Sequence, residues 1–210
     1  LSFMSDAIKP YRDAPVFADT FAVLGKNPVL AILAGAVVTA IIQSSSASVG
    51  ILQTLALNGV VNWQSAVFIT LGQNIGTCVT ALLSSAGAGK NAKRASCIHL
   101  LFNVIGAVVF GIIMFILFRF NPVWGSSTIN SVEISIFHTV FNVLNTLMLI
   151  PFADKLVRLS TYIIRDNKED EQPEISAAGE MRRHLDERIL GNPAFAMDAV
   201  LGEVNVMGQF

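Results

Sequence analysis

The residues with the most chemical potential lie in two short polar runs inside an otherwise apolar stretch. The first is Gln43-Ser44-Ser45-Ser46, one carboxamide and three hydroxyls in a row. Each hydroxyl both donates and accepts a hydrogen bond, and a carboxamide carries one group of each kind. If the chain turns at this run, the next helix begins around Ser46–Ser48 and its free backbone N–H groups face the same spot. Hydroxyl donors beside a helix N-terminus suit an oxyanion such as phosphate or a carboxylate. Carbonyls at the end of the preceding half-helix, together with Thr39, suit a sodium ion. The second run, Gly72-Gln73-Asn74-Ile75-Gly76-Thr77, brings similar groups. Its glycines permit unwinding, and Asn74 and Thr77 offer oxygen ligands. Helix packing is the plainer use of any single membrane serine. Four consecutive polar residues, followed by a second glycine-bracketed break, favour a binding site.

These runs sit in a chain of 210 residues that is 53% hydrophobic and 14% charged, with a mean hydropathy of +0.60. The charges are unevenly spread: from Asn27 to Gly89 there are 63 residues without an Asp, Glu, Lys or Arg. A soluble domain of that length needs charged exposed faces, so a single soluble domain is excluded. The net charge of −1 gives no footprint for nucleic acid. Cys78 and Cys97 both fall in apolar stretches and do not read as a disulfide framework.

The elements that must position the polar runs follow from length. Ala95–Phe118 and Ile134–Ala153 are uncharged runs long enough to cross about 30 Å of hydrocarbon as helices. Pro122 and Gly125 fall in the loop between them. Pro28–Ile42 covers only about 22 Å as a helix, and Ala47–Leu57 less. The two halves therefore form either one long helix or a re-entrant hairpin with its tip at the serines. Trp63–Ser85 spans once, with the Gly-Gln-Asn-Ile-Gly-Thr interruption near its middle. Irregular backbone at membrane depth is tolerated where it is buried in protein or lines a wet cavity, and short interrupted segments point to a transporter's site. Lys90, Lys93 and Arg94 precede one span, while Lys155, Arg158, Arg165 and Lys168 follow the last. Two spans separate these clusters, which puts both on the cytoplasmic side. Trp63–Ser85 then crosses from outside to inside, and a hairpin at Pro28–Leu57 enters from the outer face and returns there.

A small echo recurs, His99-Leu100-Leu101-Phe102-Asn103-Val104 and His138-Thr139-Val140-Phe141-Asn142-Val143. His and Asn four apart share one helix face. Without a Cys or a nearby acid they make a poor metal set, and they read as hydrogen-bonding glue between helices. A protease-like dyad of Ser44–Ser46 with His99 lacks both a G-x-S-x-G context and an oxyanion motif.

Thr39-Ala40-Ile41-Ile42-Gln43-Ser44-Ser45-Ser46-Ala47, then Gly72–Thr77, then His99-x-x-Phe102-Asn103 resemble the type II sodium/phosphate cotransporter family, over about residues 25–150. That resemblance implies two inverted repeats, each with a Q-S-S-S segment, that jointly bind phosphate and sodium. It would place Gln43, Ser44, Ser45 and Ser46 against phosphate or sodium and make Thr39, Asn74 and Thr77 sodium ligands. One Q-S-S-S copy is present, so the chain is expected to be the second repeat of a transporter. A missing amino-terminal repeat or a dimer partner would complete the site. The start at Leu1 without Met and the end at Phe210 without a helix stop signal fit a fragment of a longer protein.

The expected organisation is an amphipathic interfacial segment at 1–26, with Phe17, Phe21 and Leu24 at helical spacing, then a transmembrane repeat at 27–160. A linker at 161–176 follows. Residues 177–210 resemble the start of a PhoU-like cytoplasmic helical domain. The fold class is an all-α membrane protein with a re-entrant hairpin and with broken and continuous spans. The expected function is sodium-driven phosphate import across the cell (inner) membrane, without an enzyme activity and with sodium as coupling ion rather than a cofactor. The alternative is a membrane-anchored regulatory subunit of phosphate signalling. No Lys or Arg stands near the polar runs, so a buried anion there requires an accompanying cation.

Overall fold

A computed structural model describes residues 27–165. The interfacial segment expected at 1–26 and the PhoU-like segment expected at 177–210 lie outside the described residues. The chain divides into two units, Leu1–Arg165 and Asp166–Phe210, and the described residues belong to the first.

The first helix, α1, runs Pro28–Ile42. Pro28 presets its first turn, and the Asn27 side chain accepts from the N–H groups of Val29 and Leu30. It ends at Gln43, whose φ of 55° is the left-handed conformation usually left to glycine. Ser44 then caps α2, Ser45–Leu57, by accepting from the Ala47 N–H. The break is therefore two residues long. Across it the Thr39 and Ser48 hydroxyls bond at 2.7 Å. In a continuous helix those residues would be separated by roughly 13 Å of rise, so the chain folds back at Gln43-Ser44.

A turn through Gly59 leads to α3, Trp63–Gly76, opened by a reciprocal Asn62–Ser65 capping box. After a break at Thr77 comes α4, Cys78–Ser85. The long α5, Lys90–Phe120, has 31 residues and spans about 46 Å, more than the hydrocarbon it would cross. The short α6, Pro122–Ser126, precedes α7, Ser131–Leu149, which opens on an Asn130–Glu133 capping box. Pro151 cannot donate to a continuing helix, so a tight turn at Ile150–Phe152 passes the chain to α8, Ala153–Ile163. This ends the uncharged segment's α-helix a turn earlier than Ala153, while α8 carries helix into the stretch expected as linker.

The glycines of α3 do not unwind it; helix continues to Gly76. They permit close approach instead. A Cβ on Gly72 would collide with the Ile32 carbonyl, one on Gly35 with the Ile69 carbonyl, and one on Gly76 with Ala36 and Thr39. The backbones of α1 and α3 thus touch along a small-residue seam, as membrane helices do when they lack a hydrophobic driving force. The order of contacts makes α1 and α3 parallel, with α2 returning between their ends.

Three stretches are long and apolar enough to cross a membrane: Trp63–Ser85, Lys90–Phe120 and Ser131–Ile163. The first is 61% buried, against 22% and 17% for the others, so α3 is the central helix. Its Val67, Phe68 and Leu71 meet Leu52, Phe118 and Phe141 in the core. Outward faces carry Ile112, Phe115, Ile116, Ile136, Val143 and Leu147, all exposed. An apolar exterior around a polar-seamed interior suits hydrocarbon. The two ends of α5 differ in chemistry. Trp63, Trp124 and Phe118 cluster at one end, with ring centroids 5.0–5.3 Å apart. At the other end the Ser85 and Ser96 hydroxyls bond at 2.7 Å, and Arg94 donates twice to the Ile164 carbonyl.

Candidate functional site

Behind the break between α1 and α2 lies a cavity of about 370 Å³. Ser45 and Val49 of α2 form one side, and Gln73 and Asn74 of α3 with Thr77 form the floor. The opposite side is His99, Phe102 and Asn103 of α5, with His138 and Asn142 of α7. Among the described residues, no Asp, Glu, Lys or Arg lines it.

The expected site residues are divided by this geometry. Ser45, Asn74 and Thr77 line the cavity. Ser44 is occupied as a helix cap, and its hydroxyl lies 3.3 Å from that of the exposed Ser46. Gln43 is exposed at the hinge. Thr39 is fully buried behind the cavity wall, bonded to Ser48. Helical geometry is the cause: successive residues turn about 100°, so a run of a glutamine and three serines cannot all face one space. No hydrogen bond joins the His99 ring to Ser44–Ser46, which leaves the dyad without its geometry. Cys78 and Cys97 are free thiols.

Ser48 is the joint of the assembly. Its hydroxyl meets Thr39 on α1 at 2.7 Å and the Gln73 Nε2 of α3 at 3.0 Å, and its carbonyl also accepts from Gln73 Nε2 at 2.9 Å. Gln73 Nε2 is thereby spent on Ser48, and Gln73 Oε1 is buried with no partner. Turning the amide over would set that oxygen against the Ser48 carbonyl, so the orientation is fixed by the acceptor it meets.

The same economy recurs around the cavity. Asn103 Nδ2 donates to the His99 carbonyl at 3.0 Å and approaches Cys78 Sγ at 3.3 Å. Asn74 Nδ2 donates to the Thr70 carbonyl, Asn142 Nδ2 to the His138 carbonyl, and the Thr77 hydroxyl to the Asn74 carbonyl. Amide and threonine donors on this side turn into their own helices. What they leave over is mostly oxygen, the lone pairs of Gln73, Asn74, Thr77, Asn103 and Asn142, with the second amide N–H of Asn74 and of Asn142. Such oxygens suit a hard cation. Further donors are the Ser45 hydroxyl at the first turn of α2 and the ring N–H groups of the histidines.

His99, Asn103, His138 and Asn142 are therefore part of the cavity wall, where the sequence reads as helix glue, and Gln73 joins them from the second polar run. The two echoes do bring their Asn side chains to a helix backbone, each to its own. The signal that could have found them was the repeat itself: two His-Asn faces, alike in two spans, need a shared polar space to face.

An all-helical bundle with three membrane-length helices, an apolar exterior and an uncharged polar cavity beside a broken helix has the makeup of a membrane transport protein. The chain belongs to the Na+/Pi-cotransporter family, whose sequence profile matches residues 1–147. That family is one of transporters rather than enzymes. The chain is 34% identical over 134 residues to "Uncharacterized protein YqeW" of Bacillus subtilis, covering 64% of this chain and 43% of that protein. It is 30% identical over 209 residues to "Putative inorganic phosphate export protein YjbB" of Salmonella typhimurium, covering 100% of this chain and 37% of that protein. Over 84 residues it is 42% identical to the human "Sodium-dependent phosphate transport protein 2B", covering 38% of this chain and 12% of that protein. The chain thus spans less than half the length of the curated relatives it matches. No solved structure matches it.

Proposed function

We propose that the chain is one repeat of a sodium-coupled phosphate symporter of the cell membrane, working with a second repeat or a second copy of itself. The observation that carries this reading is the cavity's chemistry: its lining is rich in uncharged polar side chains, among them Gln73, whose buried Oε1 has no partner. A phosphate anion alone in such a place lacks compensating charge, and so does a sodium ion alone; each costs several kcal/mol to desolvate. Bound together they offset one another. Sodium sits on the Gln73, Asn74 and Thr77 side, and phosphate on the Ser45 side, where the first N–H groups of α2 add donors. Thr39 acts through Ser48, holding the two half-helices together rather than touching an ion. The α1–α2 pair enters and leaves from the outer face, and the basic clusters and the tail lie in the cytoplasm. An inward sodium gradient then drives import.

The whole protein, reconstituted in proteoliposomes, should accumulate labelled phosphate when sodium is high outside and not when potassium replaces it. Ser45→Ala should reduce the uptake strongly at unchanged protein level. Uptake that ignores sodium, or an unaffected serine variant, would sink the mechanism. A stable membrane protein with no uptake at all would point to the regulatory subunit instead.

A further inference from the structure

The two histidines of the echoes line one cavity, yet they do not sit together in it. Asn145 of α7 donates to the Phe102 carbonyl of α5, and the Phe110 and Phe141 rings meet edge to face at 5.1 Å. Those contacts fix an antiparallel register, in which Asn103 and Asn142 fall near the middle. Each His precedes its Asn by one turn, but on antiparallel helices one turn earlier means opposite directions. His99 is displaced toward the Lys90–Arg94 end, and His138 toward the Ser131 end. Along the bundle they are roughly 15–20 Å apart. Helical side chains lean toward their own N-terminus, which carries the rings further outward. One tetrahedral anion cannot touch both.

We infer that His99 and His138 are two separate anion stations, one toward each end of the cavity, that receive phosphate in turn as it passes the Ser45 site. The inference rests on the phosphate reading above. A neutral imidazole always keeps one ring N–H to donate, and neither ring has a hydrogen-bond partner within the described residues. Elsewhere in the cavity wall both amide N–H groups of Gln73 and of Asn103 are engaged, and one each of Asn74 and Asn142 is turned into its own helix. The rings are thus nitrogen donors of the wall that no protein group engages, set toward its two ends. Asn103 and Asn142 fix the adjoining backbone by bonding the His99 and His138 carbonyls.

The test uses the whole protein in lipid nanodiscs with ring-15N histidine, titrated with inorganic phosphate at constant sodium. The sequence holds three histidines, and His184 in the tail serves as the internal control. The His99 and His138 resonances, assigned by His99→Gln and His138→Gln, should move saturably while His184 stays. Silence from either cavity ring, or an equal movement of His184, would overturn the inference. This readout does not depend on transport, so a protein that binds phosphate without sodium-driven uptake would refute the symport reading and still decide this one. In oriented proteoliposomes His138→Gln should raise the half-saturating phosphate about fivefold or more from the outer face and less than about twofold from the cytoplasmic face, with His99→Gln doing the reverse. Equal effects on both faces would rule out two stations.

Discussion

Ser48→Ala is the perturbation whose cost can be worked most directly. It deletes the hydroxyl that meets Thr39 at 2.7 Å and Gln73 Nε2 at 3.0 Å, while the Gln73 bond to the Ser48 carbonyl survives. Two buried hydrogen bonds at about 0.5–1.5 kcal/mol each give a loss of about 1–3 kcal/mol. Measured interhelical bonds in membrane proteins average about 0.6 kcal/mol, which favours the lower half of that range. Ser46→Ala is the control. It removes the same atom from an exposed residue whose sole bond is 3.3 Å long, and it should cost under about 0.5 kcal/mol. The assay is reversible unfolding in mixed micelles, run as a double-mutant cycle with Thr39→Val. The cycle should return a coupling of about 0.5–1.5 kcal/mol between Thr39 and Ser48 and none between Thr39 and Ser46. Equal costs for Ser48→Ala and Ser46→Ala would refute the claim that Ser48 joins α1, α2 and α3.

Three further expectations follow from the same geometry. Gly72→Ala drives a methyl into the Ile32 carbonyl and should cost about 1–3 kcal/mol, whereas Gly50→Ala meets open space in a helix interior and should gain about 0.5–1 kcal/mol; thermal unfolding of the two variants side by side checks both signs. Gln43→Gly should be neutral or mildly stabilising and Gln43→Val should lose about 1–2 kcal/mol, because the position needs a left-handed backbone; a stable Gln43→Gly that has lost all uptake would show that the side chain itself touches the cargo. Gln73→Leu removes the unpartnered oxygen and should raise the sodium concentration for half-maximal uptake by about tenfold, equivalent to about 1.4 kcal/mol, while Gln73→Glu should tighten sodium and weaken phosphate; no change in sodium dependence would exclude Gln73 as a ligand.

The membrane character of the chain was open to reading because charge cannot be hidden over 63 residues. The break at Gln43-Ser44 was legible for a similar reason, since two half-length apolar segments flank a polar run. The role of Gly72 and Gly76 was not, because a glycine that unwinds a helix and one that lets two backbones touch look alike until the partner helix is seen. Sequence could not divide Ser44 to Ser46 either. Which serine faces the cavity depends on where α2 begins, and a shift of one residue turns the answer by about 100°. Ser48, one turn on, escaped notice because its importance lies in Thr39 and Gln73, residues brought to it by folding. The His-Asn echoes carried the right pattern, but glue and cavity lining use the same residues at the same spacing.

The measurement that tests the central claim most directly is the phosphate affinity of the whole protein at equilibrium as sodium is varied, with choline holding the ionic strength. If an uncharged cavity must take the two ions together, phosphate binding tightens as sodium rises, and phosphate tightens sodium by the same factor. A phosphate affinity that stays constant from choline to full sodium would contradict the account.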